Sequence, residues 1–412
     1  MSPHVVVIGA GIVGACSAGW LQRKGFAVTI IDREGPGEAT SFGNAGSLSP
    51  TAVLPVAMPG MIKQIPGWLL DPLGPLTVRW SYLPKAMPWL VRFLRSASQE
   101  QMWKTAAGMS ALLNPIFECY GPLLKNARAE NLIRREGCLY VYDSEASFLA
   151  DRSLQDLRRR LGARLDVING DEIRQLEPGL SPRFKWGLFA PDNGLTVNPH
   201  RLTRTLVEQA VADGGTLVRA EVERISIDGD GKKTVRTSTG DHRADFVVIA
   251  AGAWSHLLAR QIGDKIPLES QRGYHVTIAD AGVPAKRMVN WNRRRVFATP
   301  MEMGLRMAGT VEIAGLKAEP NWRRAEILVE IAKEMYPDIN VSTMTRWMGH
   351  RPCLPDSLPV IGPATRAPGV FYAFGHQHVG MCGAAGTGRT IAELVAGEKS
   401  QIDVSLYRPD RF

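Results

Sequence analysis

The chain has 412 residues, 45% of them hydrophobic, and a formal net charge of +9; this length calls for two or three domains and the composition is that of a globular protein. It holds no run of the roughly 18 apolar residues that a spanning helix needs. The first apolar run starts within a few residues of Met1, which leaves no room for a secretory leader and makes a cytoplasmic location the expectation.

Cys16, Cys119, Cys138, Cys353 and Cys382 form no CxxC pair, which argues against a disulfide framework and a zinc site. The positive charge is dispersed except at 158–160 and 293–295. Each of these clusters reads as a solvated face, and no nucleic-acid-reading module accompanies them.

Residues 5–8 (VVVI) read as a buried strand, Gly9, Gly11 and Gly14 as a tight turn, and the next residues as an apolar helix ending near Gly25. A second strand at 28–31 is closed by Asp32. The three glycines do different things. Gly9 permits the turn, Gly11 lets backbone approach a pyrophosphate, and Gly14 lets helix and strand pack closely. Free N–H groups at the helix N-terminus would meet that pyrophosphate. Asp32 stands close to the roughly 20-residue offset at which an acid accepts hydrogen bonds from a ribose diol. The unit therefore reads as a dinucleotide site, without separating NAD from FAD.

Residues 40–50 (TSFGNAGSLSP) read as a loop above the first strand. From 55 to 98 prolines, large aromatics and basic residues predict an insertion that is not part of a sheet. Within its 60–97 core, Trp68, Trp80, Tyr82, Trp89 and Phe93 alternate with Lys63, Arg79, Lys85, Arg92 and Arg95. Two readings stand equally: a lid with its aromatics packed inward, or a peripheral anchor on an anionic bilayer.

Helical spacing follows at 102–128 and 147–161, with a strand at 138–143 between them. An amphipathic helix at 200–212 leads to a strand at 216–219 and to a hairpin of strands 222–227 and 234–237 around DGDGKK. An apolar strand at 246–250 stops at Gly252, and 268–347 is mostly strands with one helix at 322–335. The last part holds GHRPCLPDSLPVIGP, a strand GVFYAFGH, and a long helix with a glycine-rich start. That helix start aims backbone N–H groups at an anion or a developing negative charge. A reduced flavin carries such charge near N1 and its C2 carbonyl, whereas a nicotinamide does not, so the cofactor expected is FAD.

Gly9, Gly11, Gly14 and Asp32, then NAGSLSP, AAGAWS, RGYHVTI, GHRPCLPDSLPVIG and GHQHVGMCGAAGTG, resemble the D-amino-acid oxidase-like flavoproteins, among them the bacterial D-amino-acid dehydrogenases. Many relatives carry Glu where Asp32 stands, and HQH departs from their smaller residues. The resemblance implies an α/β fold: a Rossmann-type FAD-binding domain (1–54, 196–267 and 348–412) with a discontinuous α+β substrate domain on a mostly antiparallel sheet (55–195 and 268–347).

It further implies a noncovalent FAD held by Gly9, Gly11, Ile12, Val13, Gly14, Asp32 and Arg33, and by Ser41, Asn44, Ala45, Gly46 and Leu48 of the loop. Val222 would meet the adenine, and Ala251, Gly252, Trp254, Gly349, Gly380 and Met381 complete the set.

The implied reaction is oxidative deamination of a D-amino acid by hydride transfer from Cα to flavin N5, with D-proline and hydroxy-D-proline among the candidates and electrons passing to a quinone or another acceptor. Glycine or sarcosine oxidation is the runner-up, and a non-catalytic flavin-binding membrane protein the alternative from another class. A site on the inner face of the cytoplasmic membrane would suit a quinone.

Arg351 would clamp the substrate carboxylate, unless it is a structural partner of Asp356. Tyr274 would share that carboxylate, unless it is core. His376 and His378 would face flavin or substrate amine, as proton acceptors or as satisfied loop residues. No third ligand stands at metal spacing.

Overall fold

A computed structural model describes residues 2–60 and 76–412. The opening unit forms as read: strand His4–Ile8, helix Ile12–Arg23 and strand Ala27–Asp32. A six-stranded sheet grows around it in the order Thr216–Arg219, Ala27–Asp32, His4–Ile8, Phe246–Ile249, Val370–Phe374 and Val360–Pro363. All neighbours are parallel except the last pair.

Such a sheet must be covered on both faces, which is why its strands are uninterrupted apolar runs. Val5 and Val7 point to one core with helices Ile12–Arg23, Pro199–Ala212 and Gly380–Val395. Val6 and Ile8 point to the other, closed by an antiparallel sheet of Val222–Ile227, Lys233–Thr237 and Gly240–Ala244. The predicted hairpin thus gains a third strand.

The second layer is a long sheet in the order Met344–Cys353, Glu269–Ile278, Gly304–Ile313, Val296–Met301, Met288–Trp291, Cys138–Tyr142, Trp186–Ala190 and Asp166–Asn169. Its outer face packs Tyr274, Val276 and Trp291 against Leu328, Ile331 and Met335 of helix Arg323–Met335. Each fully buried apolar chain of this kind contributes about 1.5–3 kcal/mol. The inner face turns toward the nucleotide unit. Strand Met344–Cys353 runs through residue 348, where the sequence suggests a domain boundary.

Four other readings change. The single helix expected over 102–128 is two, Gln99–Leu113 and Ile116–Asn126, because Pro115 has no N–H to continue the first. Both pack on the nucleotide unit through Leu112, Leu113, Ile116 and Tyr120. Likewise 147–161 divides into Glu145–Ala150 and Arg152–Arg160 at Asp151, whose carboxylate accepts the Tyr142 hydroxyl at 2.6 Å.

The insertion contributes to a sheet after all, since Leu76–Val78 pairs with the 311–313 end of Gly304–Ile313. Of the basic clusters, Arg159 pairs with Asp156, Arg293 with Asp143 and Arg294 with Glu334, as a solvated face would. Arg158 instead lies over the Tyr140 ring, with Nε and Nη1 buried.

Helix Leu83–Arg95 stacks Trp89 on Phe93 (5.1 Å between ring centroids) and packs both against Ile313 and Cys353. Trp89 Nε1 donates to the Cys353 carbonyl at 3.2 Å, and the Tyr82 hydroxyl reaches Glu269. These three aromatics face inward, whereas Trp80 is 77% exposed. Lys63 and Trp68 lie outside the described residues.

Candidate active site

The glycine turn is dictated by packing at two positions and by open space at one. Gly9 has φ +112°, and a Cβ there would stand 2.4 Å from the Ala250 carbonyl oxygen; at Gly14 it would stand 1.9 Å from that of Gly9. Gly11 is different. A Cβ there meets only Ser41 Oγ, at 3.3 Å, so that face of the backbone is available to a ligand.

Ser41 Oγ accepts the Ile12 N–H at 3.0 Å, while Val13 is half-buried and Gly14 buried in the first turn. Asp32 Oδ2 accepts the Ala10 N–H at 2.6 Å and Oδ1 the Glu34 N–H at 2.8 Å, which fixes the turn and leaves lone pairs for a diol. Burial raises its pKa against those two bonds. Arg33 lies over the Trp254 ring at 4.2 Å, and Val222, Ala251 and Trp254 each pack against the core that holds Ile31 and Ala220. Gly252, at φ +53°, turns the chain there.

The loop after the turn is held by the long sheet. Arg306 donates to the carbonyls of Phe42 (3.1 Å) and Asn44 (2.8 Å), the Thr299 hydroxyl donates to that of Ala45 (2.8 Å), and His275 Nδ1 meets that of Gly43 (3.1 Å). Asn44 Oδ1 accepts the Gly46 N–H, Gly46 takes φ +78°, and Leu48 pairs with Gly194. None of Arg306, Thr299 and His275 stands out in the sequence. The available signal was Arg306, a charge inside an apolar strand.

Gly349, expected at the cofactor, serves a neighbour: a Cβ there would stand 1.9 Å from the Trp347 ring, which also stacks on His275 at 5.1 Å. The closing helix Gly380–Val395 has no capping side chain, and a Cβ on Gly380 would make only ordinary contact with His376. The Met381 carbonyl accepts the Tyr120 hydroxyl at 2.7 Å.

These residues fit FAD. The open backbone at Gly11 and the start of helix Ile12–Arg23 suit a pyrophosphate, Asp32 a ribose, and the uncapped N-terminus of Gly380–Val395 the electron-rich edge of a flavin.

Arg351 is built by strand register. It pairs with Gln271, and the guanidinium folds across Gly273, where a Cβ would stand 2.2 Å from Cζ. Opposite Gly273 the next strand bulges: Tyr274 pairs with Gly309 and Arg272 with Glu312, so Thr310 and Val311 together face one residue. Thr310 takes φ +52° and its buried hydroxyl has no partner among the described residues, strain of the kind stored at functional sites.

The carbonyls of the bulge hold the guanidinium, Nη1 to Thr310 at 3.0 Å and Nη2 to Gly309 at 3.5 Å. Burial lowers its pKa, with Cys353 opposing. Asp356 is not its partner: it pairs with Arg411 at 2.7 Å. Among the described residues no carboxylate lies within 4.0 Å of Arg351, and the guanidinium keeps N–H donors in hand.

Tyr274 does not join it. Its side chain sits in the core with helix Arg323–Met335, its hydroxyl donating to Glu312 at 2.5 Å and accepting from the Asn321 N–H at 3.0 Å. The structure also parts the two histidines. His376 is buried, with Nε2 at 2.8 Å from Thr387 Oγ1, and burial pushes its pKa to about 3; it is a loop residue satisfied in place. His378 is accessible to solvent. Desolvation, then the charges of Arg351 and Arg295, lower its pKa to about 4, which keeps the imidazole neutral. Among the described residues no cluster of three metal-ligating side chains occurs.

Residues 4–394 match the profile of DAO, the FAD dependent oxidoreductases. The chain belongs to this family. As an FAD-dependent oxidoreductase it is 42% identical to a D-amino-acid oxidase of Bradyrhizobium diazoefficiens, over 99% of both chains. It is 33% identical to a D-amino acid dehydrogenase of Paramagnetospirillum magneticum, over 99% of this chain and 98% of that one. Among solved structures, glycine oxidase from Geobacillus kaustophilus superposes with a TM-score of 0.77 over the whole of both chains at 20% identity. L-proline dehydrogenase from P. horikoshii gives 0.75 at 19% identity, over 100% and 98%. These likenesses bear out the α/β fold.

Proposed function

We propose that this oxidoreductase deaminates D-amino acids oxidatively, the activity named for both curated relatives. The observation that carries the reading is Arg351: a half-buried guanidinium with no carboxylate within 4.0 Å among the described residues, its position fixed by two bulge carbonyls. A partly desolvated charge is costly unless it is paired, and the carboxylate of an amino acid supplies an anion with bidentate geometry. When bound, FAD supplies the two-electron acceptor for the hydrogen on Cα.

The chain's own part is placement. Arg351 anchors the carboxylate, so that the amine and Cα lie at a fixed distance from the loop held by Arg306, Thr299 and His275. Correct placement of this kind is worth several kcal/mol of a barrier. The amine reacts in its deprotonated form, which leaves the nitrogen lone pair for the imine, and His378, kept neutral, adds no further positive charge to that of Arg351.

Flavin bleaching under argon tests the reading, with D- and L-amino acids, D-proline, hydroxy-D-proline, glycine and sarcosine as the panel. Bleaching confined to L-amino acids or to glycine and sarcosine would overturn it. Arg351→Ala should lower kcat/KM by about 100- to 1,000-fold, mostly through KM and with FAD retained, the cost of removing one partner of a desolvated charge pair; unaltered kinetics would remove Arg351 from the site.

One surface supports a membrane-held acceptor. Trp80, Met87 and Val91 are exposed beside exposed Arg79, Lys85, Arg92 and Arg95, a pattern suited to an anionic bilayer and hence to a quinone. No helix among the described residues is long and apolar enough to cross a membrane. Flotation with acidic liposomes checks this; a protein left in the soluble fraction has no such contact.

A further inference from the structure

Arg306 is a buried guanidinium whose bonds hold a loop and whose charge meets no acid. It stands on strand Gly304–Ile313 and is 2% exposed. Nε donates to the Thr277 hydroxyl oxygen at 3.2 Å, and Nη1 donates to the carbonyls of Phe42 (3.1 Å) and Asn44 (2.8 Å). Among the described residues it pairs with no carboxylate. His275, which meets the Gly43 carbonyl from the neighbouring strand, is held neutral by burial and by Arg306 itself, with a pKa of about 3. Burial lowers the pKa of Arg306 only to about 10, so the cation persists at neutral pH.

The two peptides it grips are distinctive. Every described peptide bond is trans, and in a trans peptide the N–H points opposite to the C=O. The N–H groups of Gly43 and Ala45 therefore turn away from Arg306. Neither has a hydrogen-bond partner among the described residues. Those of Phe42, Asn44 and Gly46 are taken, by the Ala39 carbonyl (3.2 Å), the Ser41 carbonyl (3.3 Å) and Asn44 Oδ1 (2.8 Å). The loop thus leaves open the two donors that lie on the far side of the peptides polarised by Arg306.

Those donors are also fixed in place beside the dinucleotide turn. The Trp347 ring stands 2.1 Å from where a Cβ on Gly43 would be, and the Thr299 hydroxyl holds the Ala45 carbonyl at 2.8 Å. Ser41, at the start of the loop, accepts the Ile12 N–H next to Gly11. Donors held this way stabilise a developing negative charge without reorganising when it appears.

We propose that Arg306 is a positioning residue for flavin reduction: acting through the Gly43 and Ala45 peptides, it favours the negative charge of the reduced cofactor and so raises its midpoint potential. Hydride transfer adds two electrons and one proton to the ring system, which leaves it with one net negative charge. A cation enclosed by protein and not cancelled by a carboxylate acts on such a charge more strongly than it would in water. The effect depends on bound FAD and not on which amino acid is oxidised.

The midpoint potential of the holoenzyme, read by anaerobic titration against a reference dye without any amino acid, tests this. In wild type it should lie above that of free FAD. Arg306→Gln keeps two N–H donors for the loop but no charge, and it should favour reduced flavin at least tenfold less, a fall of about 30 mV for a two-electron couple. Arg306→Lys keeps the charge and should recover at least half of that fall. Thr299→Val removes a loop bond and no charge, so its potential should stay that of wild type even where less flavin is retained.

A wild-type potential at or below that of free FAD would overturn the proposal whether or not the variants fold. So would a wild-type potential in Arg306→Gln with flavin bound. An equal fall in Arg306→Gln, Arg306→Lys and Thr299→Val would also overturn it, by assigning Arg306 to holding the loop and nothing more.

Discussion

Gly14 and Gly273 are both glycines because something else occupies the space of a side chain, but the occupants differ in kind. At Gly14 it is the carbonyl oxygen of Gly9, 1.9 Å from where a Cβ would stand and five residues away in sequence. At Gly273 it is the guanidinium of Arg351, brought across by the pairing of Glu269–Ile278 with Met344–Cys353. The nucleotide end is thus specified largely by local spacing, and the substrate end by the register of strands far apart in the chain. The first is visible as a motif. The second exists only once two strands are paired.

Gly14→Ala should have the largest effect, because backbone must move: we expect loss of retained flavin, read as the ratio of visible to ultraviolet absorbance. Gly11→Ala sharpens the contrast, since a Cβ there meets only Ser41 Oγ. That variant should fold with an unchanged melting temperature and bind FAD more weakly, whereas equal flavin loss and unfolding in both would show that the turn has no open side.

Next is Gly273→Ala, which pushes the Arg351 guanidinium aside. A displacement of about 1 Å at a positioning group costs on the order of 100-fold, so kcat/KM should fall by that amount with flavin retained. Wild-type kinetics would mean the guanidinium position is unimportant.

Tyr274→Phe separates the core from the site. Losing the hydroxyl leaves Glu312 and the Asn321 N–H short of a partner, at about 1–3 kcal/mol, so the melting temperature should drop while kcat/KM stays within a few-fold. A KM effect like that of Arg351→Ala would return Tyr274 to the substrate.

The smallest effect concerns a fully buried carboxylate far from the site. Glu177 accepts the Lys286 and Arg287 N–H groups, and burial outweighs these bonds and raises its pKa from 4.5 to about 7. The folded state therefore binds more protons than the unfolded chain between those values, and this group's contribution to stability falls as pH rises through that window. Glu177→Gln, whose Oε1 can still accept both bonds, should flatten the dependence of melting temperature on pH between about 5 and 8; an unchanged slope would assign it to other groups.

Much of the nucleotide site was legible because its physics is local. Gly9, Gly11, Gly14, Asp32 and the glycine-rich start of the last helix can be read from strand, turn and helix spacing alone. Arg351 and His378 were nameable only through resemblance, and the sequence could not tell His378 from His376, because two residues of the same type two positions apart differ only in which one the loop turns toward Thr387. Tyr274 sat in a suggestive motif yet faces the opposite side of its strand from Gly273, as alternation requires.

By itself, the sequence determined the βαβ unit, the cofactor class and the ladder of apolar strands, since each follows from periodicity or from turn chemistry within a short window. The tertiary structure alone decided which cations meet. Arg351 and Arg306 come to one face through strand pairing and a bulge, and pairing is a property of surfaces far apart in sequence, which no window of neighbouring residues contains.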